Sequence, residues 1–249
     1  MKDLSFLKNW QYAHRGLHQN NNGIPENSIT AYHKAIENNY GIELDISLSN
    51  DGEYFCYHDD SLKRLTNKDD LIANLSKNEI RALNLLNTKE KIPTFTEVLH
   101  LINSEVPVMI EIKSHKNHKL HLSKVTSLLD SYQGDFAVFS FDPKIVSWFK
   151  KNRPNYIRGQ ITSYFYENKK MPFLLKFLMR TLFFNHFTKP DFISYNLQYL
   201  PNKYASKAKK KGLLVFGYTA RNQSDFDLVL KTYDNVVFEN FIPNDKKNT

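Results

Sequence analysis

The stretch Ile42-Glu43-Leu44-Asp45-Ile46-Ser47-Leu48, then Ser49-Asn50-Asp51-Gly52-Glu53, then Tyr54-Phe55-Cys56-Tyr57-His58, decides the fold. Two β-like runs flank an Asp-Gly pair, which is a hairpin signal. A tight hairpin joins antiparallel strands, whereas a parallel crossover needs a dozen or more residues. Residues 54–58 are therefore an extra antiparallel strand. The other β-like runs are 12–15, 42–48, 106–112, 136–141, 157–161, 192–195, 213–218 and 236–239. Helical patterns separate them, over 28–38, 94–102, 120–132, 143–152, 172–186, 202–211 and 223–233. Eight parallel strands alternating with helices predict an α/β fold, a (β/α)8 TIM barrel. The stretch from about 48 to 93 becomes a small insertion after the second strand, holding the hairpin and a short helix near 76–83. An open doubly wound sheet is disfavoured, because no Gly-rich phosphate loop follows the first strand.

Composition fits a single domain of this kind spanning 1–249. The chain has 249 residues, 41% hydrophobic and 14% aromatic, too apolar for disorder. Cys56 is the only cysteine, so no intrachain disulfide is available. Residues 1–10 lack the apolar core of a signal peptide, and no run is long enough to span a membrane. A cytoplasmic protein is expected. The net charge is +8, from 34 Lys and Arg against 26 Asp and Glu. Most of that excess is Lys accompanied by abundant Asn, Ile and Tyr, which reads as surface bias. Tight basic clusters occur only at Lys207–Lys211 and around Asp245-Lys246-Lys247, so nucleic-acid binding is not expected.

Barrel active sites lie at the C-terminal strand ends. There the first run presents His14-Arg15-Gly16, the second Glu43-Leu44-Asp45 and the fourth Glu111-Ile112-Lys113; the hairpin strand ends in His58-Asp59. Strand residues two apart share a face, so Glu43 pairs with Asp45 and Glu111 with Lys113. Clustered, buried carboxylates repel one another, and a hard divalent cation, Mg2+ or Ca2+ (with Mn2+ as a further option), removes that conflict. The hairpin is expected to set His58 roughly opposite Asp45. His14 and His58 then suit a general acid–base pair. Arg15 and Lys113 suit a phosphate, and the whole set predicts cleavage of a phosphodiester.

These residues give the chain its resemblance to the glycerophosphodiester phosphodiesterases. The matching pieces are Ala13-His14-Arg15-Gly16, Pro25-Glu26-Asn27-Ser28, Glu43-Leu44-Asp45, Asn50-Asp51-Gly52, His58-Asp59, Glu111-Ile112-Lys113 and Ser140-Phe141-Asp142, in the family's order. The resemblance runs from about Ala13 to Glu239. It implies a (β/α)8 barrel that hydrolyses glycerophosphodiesters to glycerol 3-phosphate and an alcohol with one divalent cation. It implies metal binding by Glu43, Asp45 and Glu111, acid–base chemistry by His14 and His58, and phosphate binding by Arg15 and Lys113. Where the family often has Trp-Thr, this chain has Tyr218-Thr219. Tyr218 and Phe141 are candidate walls for a glycerol moiety.

Other residues receive plainer readings. Asn27 is expected to cap the helix from Ser28, and Asp59 to orient His58 or cap a turn. Glu239 is a candidate contact for a substrate hydroxyl. The remaining histidines read as structural or exposed, those at 115–121 lying in a solvated loop. The apolar segment 171–187, flanked by Lys169 and Lys170, reads first as a crossover helix and second as a peripheral membrane contact. The second reading brings a membrane lipid or lysophospholipid into view as an alternative substrate to a small soluble glycerophosphodiester.

Overall fold

The structure, a computed structural model, describes residues 2–114 and 118–244, with the backbone alone at 118–120. His115 and the cluster Asp245-Lys246-Lys247 lie outside the described residues. In chain order the elements are α1 (Ser5–Asn9), β1 (Tyr12–His14), α2 (Ile29–Glu37), β2 (Gly41–Leu48), β3 (Tyr54–Cys56), α3 (Lys63–Thr66), α4 (Lys77–Ala82), α5 (Phe95–Ile102), β4 (Val108–Ile112) and α6 (His118–Ser131). There follow β5 (Phe136–Ser140), α7 (Pro143–Asn152), β6 (Ile157–Thr162), α8 (Phe173–Arg180), α9 (Asn185–Thr188), β7 (Phe192–Asn196), α10 (Lys203–Lys210), β8 (Leu214–Ala220), α11 (Gln223–Leu230) and β9 (Asn235–Phe238). The sheet order is β1-β9-β8-β7-β6-β5-β4-β2-β3, with β1 also paired to β2. This is the (β/α)8 barrel, and among the described residues β3 is the one antiparallel strand added to it.

Local chemistry accounts for where many of the helices start. Ser28 caps α2, Asn202 caps α10 and Asn222 caps α11, each side chain accepting from a backbone amide of the first turn. Ser76 with Glu79 and Thr94 with Glu97 form capping boxes at α4 and α5. Asp142 accepts from the Lys144 amide, and Pro143 opens α7 where no amide is needed. Each such cap stabilises its helix by about 1 kcal/mol.

The described contacts gather into two units, Tyr12–Phe136 and a second that joins the residues up to Gln11 to those from Ala137 onward. In the first unit β2 is buried along its whole length, as a strand covered on both faces must be. The insertion has an apolar core of its own, in which Phe55, Leu62, Leu65, Ile72 and Ile80 are packed and buried. In the second unit β6, β7 and β8 run parallel in consecutive register.

Three expectations change. The pattern over 172–186 is two helices, because the chain breaks after α8 and Leu182 adopts a left-handed φ of 60°. His118 and His121 lie in α6 and not in a loop. The insertion carries a further helix, α3, beyond the one expected near 76–83. Among the described residues no helix is long and apolar enough to cross a membrane.

Candidate active site

Strand register assembles the first unit's polar face. In the parallel ladders His14 is the partner of Glu43, and Asp45 is the partner of Glu111. Glu43 and Asp45 are two apart on β2, so all four side chains share one face, and Lys113 extends the row two residues beyond Glu111. The ligand oxygens of Glu43, Asp45 and Glu111 lie within 4.8 Å of one another. The His14 Nε2 atom is 3.8 Å from Glu43 Oε2. The Lys113 Nζ atom is 2.6 Å from Asp45 Oδ1 and 2.5 Å from Glu111 Oε1.

Arg15 follows β1 in a left-handed conformation, φ 57°. Its amide donates to Glu43 Oε2 at 3.2 Å, and its carbonyl accepts from the Asn27 amide at 2.9 Å. These contacts hold a conformation that costs a non-glycine residue roughly 1–3 kcal/mol. The next residue must be glycine: at Gly16, φ is 77° and a Cβ would lie 2.8 Å from the Ala31 carbonyl carbon. The Arg15 guanidinium is thereby turned back, with Nη1 donating to Glu26 Oε1 at 2.5 Å and Nε lying 3.3 Å from Asp45 Oδ2.

Asn27 does not cap α2; Ser28 does. The Asn27 side chain is buried instead, donating to Asp45 Oδ2 at 3.0 Å and accepting from the Tyr32 hydroxyl at 2.8 Å. Its own left-handed φ of 53° aims it there. The motif Pro25-Glu26-Asn27-Ser28 thus divides its labour: Glu26 orients Arg15, Asn27 orients Asp45 and Ser28 starts the helix.

The hairpin register is offset by one from the expectation. Ile46 pairs with Cys56, and the Tyr57 amide donates to the Asp45 carbonyl at 3.1 Å, so Tyr57 and not His58 stands opposite Asp45. The reason is the turn, where Ser49 and Glu53 close a loop around Gly52. His58 lies just past β3, and its Nδ1 is 2.6 Å from Asp59 Oδ1. The other oxygen of Asp59 accepts from Arg64 Nε at 2.6 Å, while Arg64 Nη1 and Nη2 donate to the two oxygens of Glu26, both at 2.7 Å. Arg64 was not legible as a functional residue; Glu26 was legible only as part of a motif.

The electrostatics separate the three carboxyls. Burial pushes Glu43 well up, and the charges of Asp45 and Glu111 push it further, with Arg15 and Lys113 offsetting only part. Burial acts in the same direction on Asp45, but Lys113 and Arg15, aided by His58 and His14, hold it well below the usual carboxylate range. Glu111 is raised by burial, an effect that Lys113 opposes and Asp45 reinforces. The donor set suits a hard divalent cation: three buried carboxylates, Glu43, Asp45 and Glu111, converge.

In the second unit, the Phe141 and Tyr218 rings meet edge to face, 6.1 Å apart. Phe165 packs on Phe141 at 6.0 Å, and the Tyr218 hydroxyl donates to the Thr162 carbonyl at 2.9 Å. Glu239 accepts from Arg221 Nε at 2.7 Å.

Known proteins are similar in both sequence and fold. The sequence profile of the glycerophosphoryl diester phosphodiesterase family matches residues 14–242. A glycerophosphodiester phosphodiesterase of Caldanaerobacter subterraneus subsp. tengcongensis is 38% identical over 116 residues, 43% of this chain and 46% of that protein. Human glycerophosphodiester phosphodiesterase 1 is 30% identical over 145 residues, 54% of this chain and 43% of that protein. Both alignments thus span under half of the relative's own length. An Oleispira antarctica phosphodiesterase, solved in complex with the product sn-glycerol-3-phosphate, superposes with a TM-score of 0.76 at 21% identity, covering 92% of each chain. The Thermotoga maritima glycerophosphodiester phosphodiesterase gives 0.68 at 24%, covering 95% of this chain and 94% of that one.

Proposed function

The chain belongs to the glycerophosphoryl diester phosphodiesterase family, and from that premise we propose that it hydrolyses small glycerophosphodiesters to glycerol 3-phosphate and an alcohol. The convergence of Glu43, Asp45 and Glu111 with Arg15 and Lys113 on one face carries this reading. Carboxylates alone would repel a phosphodiester, whereas this set offers both a cation site and two cations for the phosphoryl oxygens.

Glu43, Asp45 and Glu111 would hold one divalent cation, Mg2+ or Ca2+. When bound, it would supply charge neutralisation at the phosphoryl oxygens. Arg15, fixed by Glu26, and Lys113, poised between Asp45 and Glu111, bind the same phosphate. His14 and His58 act as the acid–base pair. One takes the proton from the attacking oxygen as it bonds to phosphorus. The other gives a proton to the alcohol oxygen as its bond to phosphorus breaks. Asp59 orients His58 through Nδ1, leaving Nε2 toward the reacting group. Within the second unit, the edge-to-face pair Phe141 and Tyr218 is the candidate wall for a glycerol moiety.

The test is release of glycerol 3-phosphate from glycerophosphocholine and glycerophosphoethanolamine, with Mg2+, Mn2+ or Ca2+ and with EDTA. Release that EDTA abolishes is expected. No release from any such substrate with any of the three metals would overturn the reading.

A further inference from the structure

The segment between β6 and β7 has its apolar face on the wrong side for a helix that only packs. On α8, successive residues turn by about 100°. Met179 is the residue that α8 buries, and the direction opposite it is shared by Phe173, Leu174 and Phe177. These are 78%, 66% and 41% exposed. Phe183 and Phe187, further along, are 45% and 58% exposed. A surface helix ordinarily places polar residues there, and single exposed hydrophobics need no account, but six large ones in fifteen residues, with Leu175 at 38% among them, do.

The helix is held in this orientation. The Thr162 hydroxyl donates to the Met179 carbonyl and the Tyr195 hydroxyl to the Arg180 carbonyl, both at 2.9 Å. The Arg180 guanidinium lies 5.7 Å from the Tyr164 ring centre, and Tyr164 stacks on Tyr199 at 4.4 Å. The C-terminal end of α8 is thus tied to the sheet, while Phe173 and Leu174 in its first turn are exposed.

The charge around these residues is one-sided. Residues 163–190 contain Lys169, Lys170, Lys176, Arg180 and Lys189 and a single acid, Glu167. Glu167 already accepts from the Tyr199 hydroxyl at 2.7 Å. Lys169 and Lys170 are exposed just ahead of the apolar turn. We propose that α8 and the loop before it dock on an anionic phospholipid bilayer, with Phe173, Leu174 and Phe177 entering the interface and Lys169, Lys170 and Lys176 facing lipid phosphates. Apolar insertion flanked by cations is the chemistry of an interfacial helix.

The full-length chain is sedimented with vesicles of phosphatidylglycerol and phosphatidylcholine, and with phosphatidylcholine alone, at low and high salt. Binding to the anionic vesicles only, weakened by salt, is expected. The triple variant F173S/L174S/F177S should lose roughly tenfold or more in partitioning, and K169E/K170E/K176E should lose its preference for anionic lipid. Hydrolysis of soluble glycerophosphocholine, measured in parallel, should be unchanged in both variants, so failure of this surface and failure of the hydrolytic reading are told apart. Absence of binding at low salt would overturn the proposal, as would undiminished binding of the serine variant. So would light scattering that shows a dimer in the parent and a monomer in the serine variant, which assigns the face to a second copy of the chain.

Discussion

Arg64 and Glu26 lie 38 residues apart in the chain, yet the Arg64 guanidinium grips both oxygens of the Glu26 carboxylate at 2.7 Å. The same guanidinium reaches Asp59 through Nε, and Glu26 also receives Arg15. One cation from the insertion therefore bridges two carboxylates, Glu26, which also holds Arg15, and Asp59, which also meets His58. Lysine has no planar fork and cannot make these three bonds together.

Arg64→Ala should lower kcat/KM by roughly tenfold to a hundredfold, through misplacement and not through loss of a reacting group. Because Arg64 sets both partners, kcat and KM should both move, and the pH profile of kcat should change shape. Arg64→Lys should recover only a small part. Steady-state kinetics on glycerophosphocholine across pH check this; a variant with parent kinetics would remove Arg64 from the positioning network.

His14→Ala and His58→Ala should each lower kcat by roughly a hundredfold to ten-thousandfold while leaving thermal unfolding close to the parent. Asp59→Asn should cost far less than His58→Ala, since it weakens the contacts to His58 Nδ1 and Arg64 Nε but leaves the imidazole itself in place. If either histidine variant kept parent kcat, the two-histidine assignment would fail for that residue.

Lys113 neutralises part of a buried triplet of carboxylates. Lys113→Met should destabilise the metal-free chain by about 3–5 kcal/mol, the usual consequence of removing one partner from a buried ion pair. Added Ca2+ should restore much of this, because an ion that binds only the folded state stabilises it by about 2.7 kcal/mol at a hundredfold excess over Kd. Urea unfolding with EDTA and with Ca2+ measures both. Equal instability under the two conditions would argue against a cation at Glu43, Asp45 and Glu111.

Burial pushes the Glu26 carboxyl up, but the Arg64 hydrogen bonds and the Arg15 charge outweigh it, so it sits at about 2 against an ordinary 4.5. A carboxyl depressed in the folded state contributes stability in full above its unfolded value. That contribution, on the order of 3 kcal/mol, is lost as pH falls from about 4.5 to about 2. The difference in urea stability between the parent and Glu26→Gln should narrow across that window. A difference independent of pH would place the stabilising effect of Glu26 elsewhere.

The barrel and much of its polar face follow from features that are local in sequence. The Asp51-Gly52 turn separated the antiparallel strand from the eight parallel ones, and the two-residue period placed Glu43 with Asp45 and Glu111 with Lys113. Each depends only on backbone geometry over a few residues, which the chain carries wherever it packs. The one-residue offset that sets Tyr57 opposite Asp45 depends on how the Ser49–Glu53 loop closes, and hydrophobic alternation cannot resolve it when β2 is buried on both faces. Asn27 looked like a cap because asparagine caps helices, and only packing turned it toward Asp45. The segment 171–187 is apolar on most faces, so which side of α8 is covered was settled only by Met179 turning inward and leaving Phe173 outside. Arg64 meets Glu26 only because the insertion folds on its own apolar core and carries α3 across to the mouth of β1. Contacts so distant in sequence leave no period to read. They exist once the intervening segments are packed, and tertiary structure alone decides them.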